Sequence, residues 1–186
     1  MGDNSFLSRA ELRKIGFKSF GKNVLISNKA SIYGASNISI GDNVRIDDYC
    51  ILSGVIELKS YIHISAFCAL YGKQAIYIDS FSGTSPRTTI FSAIDDFSGE
   101  FLINPMIPMQ LTKVKGGPVI INKYVQIGAN TIIMPNLTIG EGTVTGAFSF
   151  VNKNLDNWGI YAGIPAIKIK ERKKDLLILA KILAND

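Results

Sequence analysis

Histidine occurs once in these 186 residues, at position 63, and cysteine only twice. A zinc site built from three histidines is therefore excluded by inspection. So is a small disulfide-stapled scaffold, which needs a far higher cysteine density. Cys50 and Cys68 show neither CxxC nor any other metal-type spacing, and no metal is expected. No run of about 18 apolar residues is present, so membrane insertion is not expected. The opening MGDNSFLSRAELRK lacks the basic-then-apolar order of an export signal. It also lacks the Ser or Thr that a myristoylation signal carries at its sixth position. The cytoplasm is the expected compartment. Charge is scarce too, at 19% against 47% hydrophobic residues, which is the balance of an ordinary globular chain of one domain. The net charge of +5 has a local source: Lys153, Lys168, Lys170, Arg172, Lys173 and Lys174 crowd the last fifth. No helix-turn-helix, zinc-finger or aromatic-basic pattern accompanies them, so nucleic acid is not an expected partner. A solvated helix face or a polyphosphate ligand would account for the cluster.

What the chain does contain is a ruler. In VIINKYVQIGANTIIMPNLTIGEGTVTGAFSFV, residues 119–151, an aliphatic residue or small stand-in returns every six positions at Ile121, Ile127, Ile133, Ile139, Thr145 and Val151. A second series runs two residues ahead, at Val119, Val125, Thr131, Leu137, Thr143 and Ser149. Six is no multiple of the helical 3.6 but is a multiple of the strand period of two. Each unit reads as a short strand with two inward side chains and a polar corner. Backwards, the series passes through Ile26, Ile32, Ile40, Ile46, Leu52, Leu58, Ile64, Leu70, Ile78, Thr84 and Ile90, with slips of two at YGASNI and YGKQAI. Fixed-period repeats of this kind stack, since none can bury its apolar edge alone. Three hexapeptides make one triangular coil, which predicts about six coils. Cys50 and Cys68, 18 residues apart in the inward phase, should be stacked neighbours with free thiols, roughly one strand spacing apart.

Two kinds of segment escape the ruler. Residues 95–118 form an inserted loop whose prolines argue against a helix or a central strand, with Met106 and Met109 expected as anchoring contacts. The ends read as helices. Residues 1–19 form an N-terminal helical segment with a Ser8/Glu11 capping box, and residues 170–186 a C-terminal helix with Leu176, Leu179, Ile182 and Leu183 on one face. The repeat body spans 20–169. Trp158 is expected to pack beneath the C-terminal cap.

Units such as IGDNVR and IGANTI, with TGAFSFVNK and YAGIPA near the end, resemble the hexapeptide acyltransferases over roughly residues 20–172. That resemblance implies an all-β, left-handed parallel β-helix, a homotrimer, and active sites between subunits. The stretches SYIHISAFCALYG, IDDFSGE and WGIYAGIPAIKIKERK are similar to sugar-nucleotide N-acetyltransferases of surface-polysaccharide pathways, in particular those acting on dTDP-4-amino-4,6-dideoxyglucose. The implied activity is acetyl-CoA-dependent acetylation of a nucleotide-linked amino sugar. An O-acetyltransferase acting on a sugar or glycan, or a β-helix scaffold without catalysis, are the alternatives.

The maltose- and galactoside-type members carry a loop histidine where this chain has Asp95 followed by Asp96. A hydroxyl needs a base to attack a thioester, whereas an amine is already nucleophilic and has only to shed a proton. The substitution therefore favours an amine acceptor. His63, Asp95 and Asp96 are the candidate catalytic residues, with His63 preferred as the lone imidazole, facing outward from its coil. Arg87, Ser92 and Glu100 are candidates for the acceptor. For the donor, the resemblance points to Gln126, Ala129, Gly146, Ala147, Asn152, Lys153, Gly163, Pro165, Lys168 and Lys170, with the lysines meeting phosphates.

Overall fold

A computed structural model describes residues 5–185. Residues 1–4 and 186, the outer ends of the expected terminal segments, lie outside the described residues. Short parallel strands stack into a coil with three flat walls. The first wall holds Val24–Ile26, Val44–Ile46, Ile62–Ile64, Gly83–Thr84, Gln126–Ile127, Val144–Thr145 and Gly159–Ala162. Two longer strands, Ile51–Leu58 and Ala69–Ile78, turn through a corner and serve two walls each. Their first halves lie on the second wall with Ser31–Tyr33, Thr89–Phe91, Ile132–Ile133 and Phe150–Val151. Their second halves lie on the third wall with Ser19–Phe20, Ile38–Ile40, Val119–Ile121 and Thr138–Ile139. The six expected coils thus gain a further rung among the described residues. Gly159–Ala162 escaped the ruler because its inward positions are Gly159 and Tyr161 rather than aliphatics.

Both six-residue series point inward, and every member from Val119 to Val151 is buried. The polar members are satisfied at the corners. Thr88 Oγ1 donates to the Gly128 carbonyl at 3.3 Å and Thr131 Oγ1 to that of Gly146 at 3.2 Å. The two cysteines do the same lower down: Cys50 Sγ reaches the Ser65 carbonyl at 3.0 Å and Cys68 Sγ that of Ser85 at 3.2 Å. They are buried, free and in adjacent rungs, as the 18-residue spacing requires. A thiol here takes the place that threonine hydroxyls hold in the upper coils.

The insert is more ordered than a loop. After Phe91 the chain leaves the coil, and Ala93–Asp95 pairs antiparallel with Val114–Gly116 to make a two-stranded stem. At the N-terminus α1 (Arg9–Ile15) starts on the Ser8/Glu11 capping box and ends at Gly16, whose φ of 80° suits glycine. The C-terminal segment departs from expectation. Ile167–Glu171 is a strand, antiparallel to Gly159–Ala162, and α2 begins only at Leu176 (Leu176–Asn185). The reason is visible in IKIKE: its alternation has the period of two, and the covering strand protects the open upper edge of the first wall. Arg172 pins the tail, its Nη1 donating to the carbonyls of Tyr124 at 2.6 Å and Gly142 at 2.9 Å. Trp158 is buried at the end of a ladder of corner rings, Tyr61, Phe81 and Tyr124, with Lys174 over its face at 5.3 Å.

Candidate active site

The outer face of the first wall divides into a polar lower half and a bare upper half. Registered pairing aligns Arg45, His63, Gly83, Gln126 and Val144 in one outward column. One step beyond the strands, a second column runs through Asp47, Ser65, Ser85, Gly128, Gly146 and Ala162. In the lower half, Asp47 accepts from Arg45 Nε at 2.6 Å and lies 2.7 Å from His63 Nε2. Partial burial works against the charge on Asp47, but hydrogen bonds from Arg45 and His63 outweigh it and hold the carboxyl below its ordinary pKa. Half of the His63 side chain is exposed (51%). Ser85 accepts a hydrogen bond from Gln126 Nε2 at 3.1 Å. In the upper half the floor is almost bare of side chains. A Cβ on Gly128 would stand 2.5 Å from the backbone of the next rung, and one on Gly146 would stand 3.1 Å from Ala162 Cβ. A narrow ligand can therefore lie directly on the backbone there.

On the second wall a cleft of about 930 Å³ opens between the sheet and the insert. Tyr71, Phe91, Ile132, Met134 and Phe150 form its sheet side, and Asp95, Phe97 and Val114 its insert side. Asp95 Oδ2 accepts from the Asn104 amide at 3.3 Å and faces this largely apolar space, whose lining also includes Ser53 and Lys73. Its neighbour Asp96 does not. Asp96 is only 2% exposed, and its Oδ1 takes the Ser98 amide at 2.9 Å and Lys115 Nζ at 3.0 Å. The amide of Ser98 and then the Lys115 ammonium hold its carboxyl down at a pKa of about 2. It ties the stem of the insert rather than lining the cleft.

The sequence-based candidates therefore separate. His63 and Asp95 occupy different walls of one chain and do not meet. Arg87 is exposed and stacks over Phe67 at 4.9 Å on the corner between the first and second walls. Ser92 is fully buried, its Oγ donating to the Tyr71 carbonyl at 3.0 Å and accepting from the Gln74 amide at 2.8 Å. This corrects its assignment to the acceptor, since a hydroxyl satisfied inside the corner is not free to bind a ligand. Glu100 is exposed on the insert and does not line the cleft. Gln126, Ala129, Gly146, Ala147, Gly163 and Pro165 gather at the upper first wall and its corner with the second. Lys168 and Lys170 flank this region on the covering strand, opposite Tyr161 and Ile160. Lys168 is paired with Glu171 at 2.7 Å. Asn152 and Lys153 fall one corner further on, beyond Phe150–Val151. Sequence inspection did not single out Ser85 and Asp47, which contact Gln126 and His63. The available signal was phase: each directly follows an inward residue of the ruler, Thr84 and Ile46, at the start of a corner.

A triangular β-helix bearing a backbone-floored trough and a separate acid-lipped cleft defines a class of group-transfer enzymes. Residues 118–153 match the family described as "Bacterial transferase hexapeptide (six repeats)". The chain is 41% identical over 181 residues to the dTDP-4-amino-4,6-dideoxy-D-glucose acyltransferase of Escherichia coli, covering 96% of this chain and 94% of that protein. It is 53% identical to a variant of AntD, an N-acyltransferase from Bacillus cereus, solved with dTDP-4-amino-4,6-dideoxyglucose and coenzyme A. That match has a TM-score of 0.96 and covers 98% of both chains. A further AntD structure holds dTDP and 3-hydroxybutyryl-CoA, at 54% identity, a TM-score of 0.95, and coverage of 98% of this chain and 97% of that one. The chain belongs to the hexapeptide-repeat acyltransferases, and its coil is the left-handed β-helix of that family.

Proposed function

We propose that this chain transfers an acyl group, acetyl in the first instance, from acyl-CoA to the amino group of a nucleotide-linked aminodeoxy sugar. The sugar is dTDP-4-amino-4,6-dideoxyglucose, the compartment the cytoplasm, and the product serves surface-polysaccharide (O-antigen or capsule) synthesis. The single observation that carries this is the likeness, over nearly the whole chain, to an N-acyltransferase solved with that sugar nucleotide and coenzyme A. The bare floor at Gly128, Gly146 and Ala162 suits the pantetheine arm, and Lys168 and Lys170 suit the phosphates at its far end. The two half-sites lie on different walls, so a complete site needs the first wall of one copy to face the second wall of another. A homotrimer closes three such sites.

In this arrangement Asp95 holds the acceptor ammonium and takes its proton. The freed amine attacks the thioester carbonyl, the C–N bond forms and the C–S bond breaks. The departing thiolate leaves as the CoA thiol by taking up the second nitrogen proton. Little base strength is needed, because positioning does most of the work. This places the aspartate ahead of His63, which the sequence favoured narrowly. A second candidate retains support from one distance: the 2.7 Å contact between Asp47 and His63 orients an imidazole as an O-acetyltransferase would require. Incubation with acetyl-CoA and either dTDP-4-amino-4,6-dideoxyglucose or neutral glycosides separates the two. An amide product only from the amino sugar is expected, and an ester from the glycosides would overturn the assignment.

A further inference from the structure

Two apolar surfaces of the chain have no use in the site just described. The first is the tip of the insert. Met106 and Met109, which the sequence suggested as anchors, are 89% and 88% exposed and anchor nothing within their own chain; Leu102, Ile103 and Leu111 beside them are exposed too. The second is a cleft of about 300 Å³ between α2 and the corner joining the third and first walls, lined by Phe81, Tyr124, Leu176, Leu179 and Leu183 with Arg172.

These surfaces lie at the same height along the coil. The insert leaves after Thr89–Phe91 and returns at Val119–Ile121, between the fourth and fifth rungs. Phe81 and Tyr124 precede the fourth and fifth strands of the first wall and stack 5.4 Å apart. Within one chain, however, they sit at different corners with the whole third wall between them. The insert rises where the second wall meets the third, and the cleft opens where the third meets the first. When the first wall of one copy faces the second wall of the next about an axis parallel to the coil, heights are preserved. Those two corners then become opposite lips of the same gap.

We propose that the Met106–Met109 tip of one copy docks in the α2 cleft of its neighbour. This rests on the assembly put forward under Proposed function and adds the contact that closes it. Methionine suits such a contact, because an unbranched and polarisable side chain adapts to an irregular apolar cavity and packs well against aromatic edges. The consequence is catalytic as well as structural. Asp95 belongs to the stem of the same insert, so docking the tip on the neighbour holds this carboxylate over the neighbour's first wall. Met106 and Met109 act through Asp95 and are positioning residues.

The full chain carrying Met106→Cys and Leu179→Cys, treated with a short bismaleimide, tests the contact. Covalent dimers and trimers are expected on a denaturing gel, and neither single variant should give them, since Cys50 and Cys68 are buried. Light scattering on the same sample distinguishes the failures. A trimer that does not cross-link, or that cross-links only within single chains, overturns the docking while leaving the assembly intact. A monomer overturns both. As a second readout, Met106→Glu with Met109→Glu should lower kcat/KM for the amino sugar by roughly ten- to a hundredfold through misplacement of Asp95. The KM for acyl-CoA should stay where it is. An unchanged amino-sugar kcat/KM in an assembled variant would also refute the proposal.

Discussion

Asp95 and His63 represent two ways of disposing of one proton, and the chain keeps them on separate walls. An amine that enters as ammonium needs an anion beside it, and Asp95 stands at the lip of a largely apolar cleft, with Lys73 among its lining residues. Asp95→Asn should therefore lower turnover by roughly 10²–10⁴, the usual worth of general acid–base catalysis. His63→Asn should retain most of it. Steady-state kinetics with the amino-sugar nucleotide check both, and the opposite ranking would return the base role to His63. The cysteines pose a purely structural question at the same scale. Each donates to a corner carbonyl where Thr88 and Thr131 do so in later coils. Replacing both by threonine should leave stability nearly unchanged in a denaturant titration. Cys50→Leu should cost about 1–3 kcal/mol, because an added branch overfills a closed corner.

Among the elements, the stem of the insert and the covering strand matter most. The stem depends on Asp96, whose carboxyl is held well below its unfolded value by the Ser98 amide and the Lys115 ammonium. A depressed carboxyl stabilises the fold above its unfolded pKa, and that contribution fades as pH falls through the folded one. Thermal stability should thus drop between about pH 4 and pH 2, and Asp96→Asn should flatten that part of the profile in a calorimetric series. The covering strand Ile167–Glu171 carries Lys168 and Lys170 beside the trough. Their joint replacement by alanine should raise KM for acyl-CoA while sparing kcat, the signature of binding shared equally by ground and transition states. An unchanged acyl-CoA KM would move the phosphate contacts elsewhere.

For the whole molecule, the trough and the cleft lie on different walls of each chain, and the proposed site draws on both. If the halves meet only between copies, two defective variants can rescue each other. Asp95→Asn spoils the second-wall half, and Gly146→Leu crowds the floor of the first-wall half, where a Cβ alone already stands 3.1 Å from Ala162 Cβ. Each alone should be nearly inactive. Co-refolded in equal amounts, they should regain activity in about a quarter of the sites, as random assembly about a symmetry axis pairs two intact halves. Absence of any rescue in mixed trimers would place both halves in one chain.

The six-residue period by itself determined the coil, its inward residues and the stacking of Cys50 on Cys68. Each of those follows from the strand period of two combined with the need to bury one edge. The insert was legible as an interruption of the same ruler. The seventh rung at Gly159–Ala162 was not, because glycine and a half-polar tyrosine stand where the ruler looks for aliphatics. Nor was the strand Ile167–Glu171, whose two-residue alternation sits inside a basic run that reads equally well as a helix start. The site was legible only as a set of candidates. As sequence, His63, Asp95 and Asp96 were rival bases, with His63 preferred only as the lone imidazole, and Arg87 was an acceptor candidate. Packing alone gave Arg87 to Phe67, buried Asp96 against Lys115, turned Asp95 to the cleft and carried His63 to another wall. Periodicity reports which way a side chain faces within its own coil. Which outward faces come together depends on contacts between residues remote in sequence, and no local pattern encodes those.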